Sequence, residues 1–247
     1  VFATCRDPTD VARLVEDGLE SIVLDVDDHE SVGRAVREVL NRTGGKLDAA
    51  FNNAAFACPG ALEDVPREAL RAVFRTNVEG VHAVTRAVLP AMRGQGHGRL
   101  VNCSSVLGYV AAPWRGAYVA SKYAVEGLTD TLRLELRGSG IHVISIQPGP
   151  IGTQLRAKSI PHFERWIEWK TSPHRDRYEA TLLKRLYRGG DDRFQLPPAA
   201  VSKILVRALE SRRPRSHYRV TVPAKAAWAL RRTLPTRALD LVLARGR

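Results

Sequence analysis

Apolar residues fall along the chain in short runs that alternate with helical spacings. Val1–Thr4 reads as a strand already under way at the first residue, and Pro8–Asp17 as a helix opened by proline in its first turn. Ser21–Val26 is a short apolar strand. His29–Asn41 then sets Val32, Val36, Val39 and Leu40 at helical spacing, and Gly44-Gly45 stops it. Leu47–Phe51 is the next strand, running into Asn52-Asn53-Ala54-Ala55. Pro66–Met92 is helical, Arg99–Cys103 a strand, Gly116–Leu136 a helix, and Ile141–Ile146 a strand closed by Gln147-Pro148-Gly149-Pro150. This alternation predicts an α/β fold, a parallel sheet with helices on both faces. Right-handed crossovers gather the loops after the strands on one edge, where ligands bind.

After Thr153 the alternation breaks. Ile160–Leu186 is rich in Trp, Tyr, Phe and Arg and reads as helix and loop. Pro198–Glu210 reads as a helix, Tyr218–Val222 as a short strand, and Ala224–Ala244 as an amphipathic run interrupted by Pro235. The expected layout is one domain over residues 1–247, with a substrate-lid region at about 154–195 and an amphipathic tail at about 223–247.

The chain has 247 residues, 44% of them hydrophobic, enough for one substantial core. No apolar run approaches the roughly 20 residues of a membrane span, and the first residues lack a signal-peptide pattern. Cys5, Cys58 and Cys103 are odd in number without metal-like spacing, so a reducing cytoplasm and no metal are expected. The net charge of +12 is uneven: residues 1–154 hold 16 basic and 18 acidic side chains, residues 155–247 hold 22 and 8. No nucleic-acid motif accompanies this excess. A solvated arginine-rich surface explains it best; contact with an anionic membrane surface is the weaker reading.

Tyr118 and Lys122 lie about one helical turn apart, on one face. An ammonium beside a phenol is expected to lower the tyrosine pKa towards working pH, as a general acid/base for an alcohol proton requires. Such pairs also occur by chance in helices. Ser104 and Ser105 sit just past a strand end, where a hydroxyl can donate to a carbonyl oxygen gaining charge. Asn77, between Phe74 and Val78, suggests a buried amide with either a site role or a purely structural one.

Asn52-Asn53-Ala54-Ala55, Asn77, Ser104-Ser105, Tyr118-Val119-Ala120-Ser121-Lys122 and Pro148-Gly149-Pro150-Ile151 resemble, in order and spacing, the landmarks of the short-chain dehydrogenase/reductase family. The resemblance spans nearly the whole chain, more loosely after Thr153. It implies a Rossmann-like doubly wound sheet and hydride transfer between a nicotinamide cofactor and a carbonyl or alcohol. It implies Asn77, Ser105, Tyr118 and Lys122 as a catalytic tetrad; Ser105 is preferred to Ser104 because it lies 13 residues before Tyr118. Tyr118 passes the proton, Lys122 also holds the nicotinamide ribose, and Asn77 supports a water in the relay. Pro148, Gly149, Ile151 and Thr153 are implied at the nicotinamide end, Asp25 and Val26 at the adenine, and Asn53, Ala54 and Ala55 at the adenine-side ribose.

Two departures stand out. Ala55 occupies a position where the family usually has Gly. The family's Gly-rich turn, Thr-Gly-x-x-x-Gly-x-Gly, occurs nowhere in the chain. It belongs before Val1, so the active natural protein is expected to begin upstream, by a strand–turn–helix unit of roughly 30 residues. The absent strand is expected between the strands at Val1 and Leu47, and the absent turn supplies the helix N-terminus for the pyrophosphate.

Arg6 follows the first strand, where an arginine pairs with an adenosine 2′-phosphate; NADP(H) is therefore expected over NAD(H), although Asp7 adjoins it. Phe163, Trp166, Ile167, Trp169, Tyr178 and Leu182 are candidates either to cover an apolar pocket or to pack helices. The stretch from Arg215 to Leu243 resembles the branch of retinol and hydroxysteroid dehydrogenases and bacterial aldehyde reductases. That implies a hydrophobic aldehyde, ketone or alcohol as substrate and a homodimer or homotetramer. A 3-oxoacyl thioester on an acidic carrier, a non-catalytic NADP-binding regulator and a membrane-surface protein are the competing readings.

Overall fold

The computed structural model describes residues 1–189 and 194–245. Strand β1 (Phe2–Cys5) leads to α1 (Pro8–Glu16), β2 (Glu20–Val23), α2 (His29–Arg42) and β3 (Ala49–Asn52). Helix α3 (Arg67–Phe74) continues through a π-helical turn at Arg75–Glu79 into α4 (Gly80–Gln95), followed by β4 (Gly98–Cys103), α5 (Gly116–Glu135) and β5 (Ile141–Gln147). Beyond lie α6 (Leu155–Trp166), α7 (Arg175–Arg177) with π-helical turns after it, α8 (Ala199–Glu210), β6 (His217–Arg219), α9 (Val222–Thr233) and α10 (Thr236–Arg245).

All strand pairs are parallel, as the alternation predicts. Strands β3, β4, β5 and β6 form one sheet in chain order, while β1 pairs only with β2. Among the described residues no ladder joins the two sheets, so β1 and β3 each keep an unpaired edge. Helices link the sheets instead: Val32 of α2 packs with Val84 and Val88 of α4 and with Leu100 of β4. Gly80 makes that approach possible, because a Cβ there would come within 2.8 Å of Val26. Helix α1 buries none of its residues, and Val15, Leu19 and Val23 stay exposed.

Several boundaries differ from the sequence reading for local reasons. The Pro66–Met92 helix is not uniform, since the π-helical turn inserts an i→i+5 bond at Asn77's level. The last strand sits at His217–Arg219 rather than Tyr218–Val222. Thr221 instead caps α9, accepting the Ala224 N–H at 3.2 Å, with Pro223 in the first turn. After Thr153, Phe163, Ile167, Tyr178 and Leu182 are buried against Cys58, Val73 and Ala117, with Trp166 and Trp169 packed around them. They are helix-packing residues. The Tyr178 hydroxyl fastens this segment to the 61–64 turn, donating to Asp64 at 2.7 Å and accepting the Ala61 N–H at 2.7 Å.

Candidate active site

Helix α5 carries the candidate pair, Tyr118 and Lys122. Its inner face buries Ala117, Tyr118, Ser121, Lys122, Val125 and Thr129, the spacing of one helical stripe. The helix starts sharply. Trp114 takes φ 65°, a costly conformation for a side chain of that size, and is held by the Tyr178 ring at 4.8 Å and the Arg177 guanidinium at 5.2 Å.

Lys122 is 2% exposed, with its Nζ 5.5 Å from the Tyr118 ring centroid. It donates to the Cys103 carbonyl at the end of β4 at 2.8 Å. The expected effect on Tyr118 is corrected here: burial and the nearby Cys103 push its phenol up, against smaller lowering contributions from a Ser105 hydrogen bond and Arg115. Burial likewise pushes Lys122 down, against Cys103 and Glu126. A phenol removed from water resists ionisation, because burial disfavours its charged form. The two serines differ in their surroundings. Ser105 accepts the Leu107 N–H at 3.1 Å and helps lower the Tyr118 phenol, whereas the Ser104 Oγ is buried without a hydrogen-bond partner among the described residues.

Asn77 is fully buried on the π-helical turn, a feature common at functional sites. Its Oδ1 accepts the Phe56 N–H at 3.0 Å, and its Nδ2 donates to the Phe56 carbonyl and to Ser121 Oγ, both at 3.0 Å. Ser121 in turn donates to the Tyr118 carbonyl at 2.8 Å. Asn77 thus clamps the segment after Ala55 to α5. Both amide protons are taken, which leaves only acceptor capacity for a water.

The residues expected to meet a cofactor follow strand ends of both sheets. Arg6 is exposed just past β1, and Asp7 is turned away to cap α1, accepting the Thr9 N–H at 2.9 Å. Asp25 donates its N–H to Ser31 Oγ at 3.0 Å and Val26 is half-buried against Gly80. Asn53 and Ala54 are exposed and Ala55 half-buried after β3. After β5, the Pro148 carbonyl accepts the Val106 N–H at 2.7 Å, and a Cβ on Gly149 would lie 2.1 Å from Thr221 Oγ1. Ile151 bridges to Leu196, and Thr153 Oγ1 accepts the Leu155 N–H at 3.3 Å. These residues fit a dinucleotide's two ends. A buried Lys122 ammonium with one bonded oxygen has donors left for ribose hydroxyls, and Arg6 is exposed, with no ion pair among the described residues. No Gly-rich helix start for a pyrophosphate lies among the described residues.

Sequence reasoning missed several polar partners. Asn52 Nδ2 donates to Asn102 Oδ1 at 2.8 Å, and Asn102 Nδ2 donates to Thr129 Oγ1 at 2.9 Å, tying β3, β4 and α5 together. Ser121 and Glu126 complete the set. The available signal was position on α5: Glu126 and Thr129 continue the Tyr118–Lys122 stripe.

The profile described as short chain dehydrogenase matches residues 7–163. The uncharacterized oxidoreductase YbbO of Escherichia coli K12 is 39% identical over 244 residues, 98% of this chain and 84% of that protein. The NADPH-dependent 3-dehydrocapnine reductase of Ornithobacterium rhinotracheale is 29% identical over 255 residues, covering 98% and 86%. Among solved structures, a short-chain dehydrogenase from Streptomyces avermitilis matches with a TM-score of 0.77 at 29% identity, over 99% of this chain and 84% of that one.

Proposed function

The chain belongs to the short-chain dehydrogenase/reductase family and is an oxidoreductase; on that premise we propose that it reduces a hydrophobic aldehyde or ketone, or oxidises the matching alcohol, with NADP(H). The observation that carries this reading is the buried Tyr118 with Ser105 at its hydroxyl and Lys122 beside its ring. When bound, the nicotinamide supplies or accepts the hydride. Tyr118 gives its phenolic proton to the substrate oxygen in reduction and takes it back in oxidation. Ser105 keeps a hydroxyl proton to donate to that oxygen, because its bond with the Leu107 N–H uses it as an acceptor. Lys122 holds a positive charge next to the phenol and has donors for the ribose. Asn77 fixes the Phe56 segment and Ser121, and with them the relative position of the cofactor loop and α5.

Arg6 and the NADPH-dependent relative support NADP(H) over NAD(H). Leu107, Val110 and Tyr118 form an apolar cluster against which Ala227 of α9 and Leu243 of α10 pack, which supports an apolar substrate. The reading includes one domain, a cytoplasmic setting with free thiols, and assembly as a homodimer or homotetramer. The basic C-terminal third favours a second reading, a 3-oxoacyl thioester on an acidic carrier. A panel of aldehydes, ketones, alcohols and 3-oxoacyl thioesters, run with NADPH, NADH and the oxidised forms, tests both. Turnover of apolar carbonyls with NADPH is expected. Cofactor binding without turnover of any member would instead mark a regulator.

A further inference from the structure

We propose that Glu126 is a positioning residue of this site: its half-buried carboxylate anchors the serine loop and the ends of β5 and β6 to α5, and supplies the counter-charge for Lys122. The inference rests on the reading of Tyr118 and Lys122 as the reactive pair.

Glu126 stands one turn beyond Lys122 and two beyond Tyr118 on the same helix. Its Oε1 accepts the Ser145 hydroxyl from β5 at 2.7 Å, and its Oε2 lies 3.4 Å from His217 Nε2 on β6. The Ser104 hydroxyl, buried without a hydrogen-bond partner among the described residues, and the Gln147 side chain lie near the same carboxylate. Three strand ends and one helix therefore converge on a single group. Gly108 enforces the approach, since a Cβ there would meet Ser104 Oγ at 2.6 Å and the Glu126 side chain at 3.0 Å. Burial alone would raise the Glu126 carboxyl, but the polar groups of His217, Ser104, Ser145 and Gln147 around it outweigh burial and hold it below the usual carboxylate value. It stays charged at neutral pH.

That charge has a destination. Among the described residues, the groups facing Lys122 are Tyr118, Cys103 and Glu126, and Glu126 opposes the loss of the ammonium proton that burial favours. Glu126 itself is faced by His217 and, through space, by Tyr109 and Arg219. Asp130 shares His217 at 3.4 Å and is held by Arg133 at 2.8 Å, so it competes for the imidazole without entering the site. Because Ser104 adjoins Ser105, any loosening of the Glu126 anchor is passed on to the hydroxyl that meets Tyr118.

Two substitutions separate the two roles. Glu126→Gln keeps an acceptor for Ser145 but removes the charge; Glu126→Ala removes both. Lys122 is pushed down and Tyr118 up, so Lys122 is the first of the pair to lose its proton on the alkaline side. In Glu126→Gln the alkaline limb of kcat/KM for carbonyl reduction should move to lower pH by about half a unit or more, with KM nearly unchanged. In Glu126→Ala, amide hydrogen exchange in the segment 103–110 should accelerate roughly tenfold or more, and Ser145→Ala should accelerate it less. Exchange needs no cofactor and no turnover, so it reads the anchor even if the catalytic assignment fails. Turnover surviving in Tyr118→Phe would overturn that assignment alone. An unshifted alkaline limb in Glu126→Gln, or unchanged exchange at 103–110 in both Glu126→Ala and Ser145→Ala, would overturn the proposal. If Glu126→Ala does not fold, Glu126→Gln and Ser145→Ala decide.

Discussion

Replacing Asn77 by Ala tests how far one side chain holds the site to the fold. The substitution removes three hydrogen bonds of 3.0 Å from a fully buried amide. Ser121 keeps its bond to the Tyr118 carbonyl, so it is not stranded. The Phe56 N–H and carbonyl lose their side-chain partner. Each orphaned buried group costs about 1–3 kcal/mol, and because Phe56 is only half-buried the lower half of that range applies. The total is roughly 2–4 kcal/mol. For a chain of this length each kcal/mol moves the melting temperature by about 2–4 °C, so a fall of roughly 5–15 °C is expected. Circular dichroism melts, paired with urea titrations to check that the m-value is unchanged, measure it. Melting within about 2 °C of the parent would mean that Asn77 is not the clamp described.

Four further outcomes follow from the same geometry. Arg6→Ala should weaken NADPH by roughly 10- to 100-fold and NADH little, measured by fluorescence titration at fixed ionic strength; equal losses would remove Arg6 from the phosphate. Gly149→Ala drives a methyl into Thr221 Oγ1 and should cost roughly 2–4 kcal/mol through overpacking and loss of the α9 cap, read as a lower urea midpoint. Burial pushes the Tyr118 phenol up, so it keeps its proton through the neutral range. Carbonyl reduction should accordingly be flat near neutrality while alcohol oxidation, which needs the phenolate, rises by about tenfold per pH unit; flat oxidation would contradict this. The Glu126 carboxyl lies below its usual value, so the stability it contributes is complete above that value and lost as pH falls through the lowered one. Glu126→Gln should flatten that acid limb in a melting-temperature profile; an unaltered limb would refute it.

Much of the architecture is legible in the sequence because each element carries its own signal. Strand β5 is an apolar run closed by Pro148-Gly149, and α2 is bounded by Asp28 at its start and by two glycines of positive φ at its end. Tyr118, Lys122, Ser105 and Asn77 converge because helix spacing and strand-end position place them. What was not legible depends on contacts between distant segments. The π-helical turn at Asn77 has no composition of its own, since it arises from how α3 and α4 meet α5 and Phe56. The direction of the Tyr118 shift could not be read from the Lys122 spacing, because it is decided by how much of the helix the surrounding loops bury. The lid aromatics Phe163 and Tyr178 look alike as pocket walls or core until their partners Cys58 and Ala117 are seen.

The central claim is that Tyr118 moves the proton. Tyr118→Phe removes one hydroxyl from a buried ring, so its melting temperature and NADPH affinity should match the parent's. Its kcat for the best carbonyl substrate, measured by NADPH absorbance under saturating conditions, should fall by at least about 100-fold. A folded, cofactor-binding Tyr118→Phe protein with kcat close to that of the parent would contradict the account.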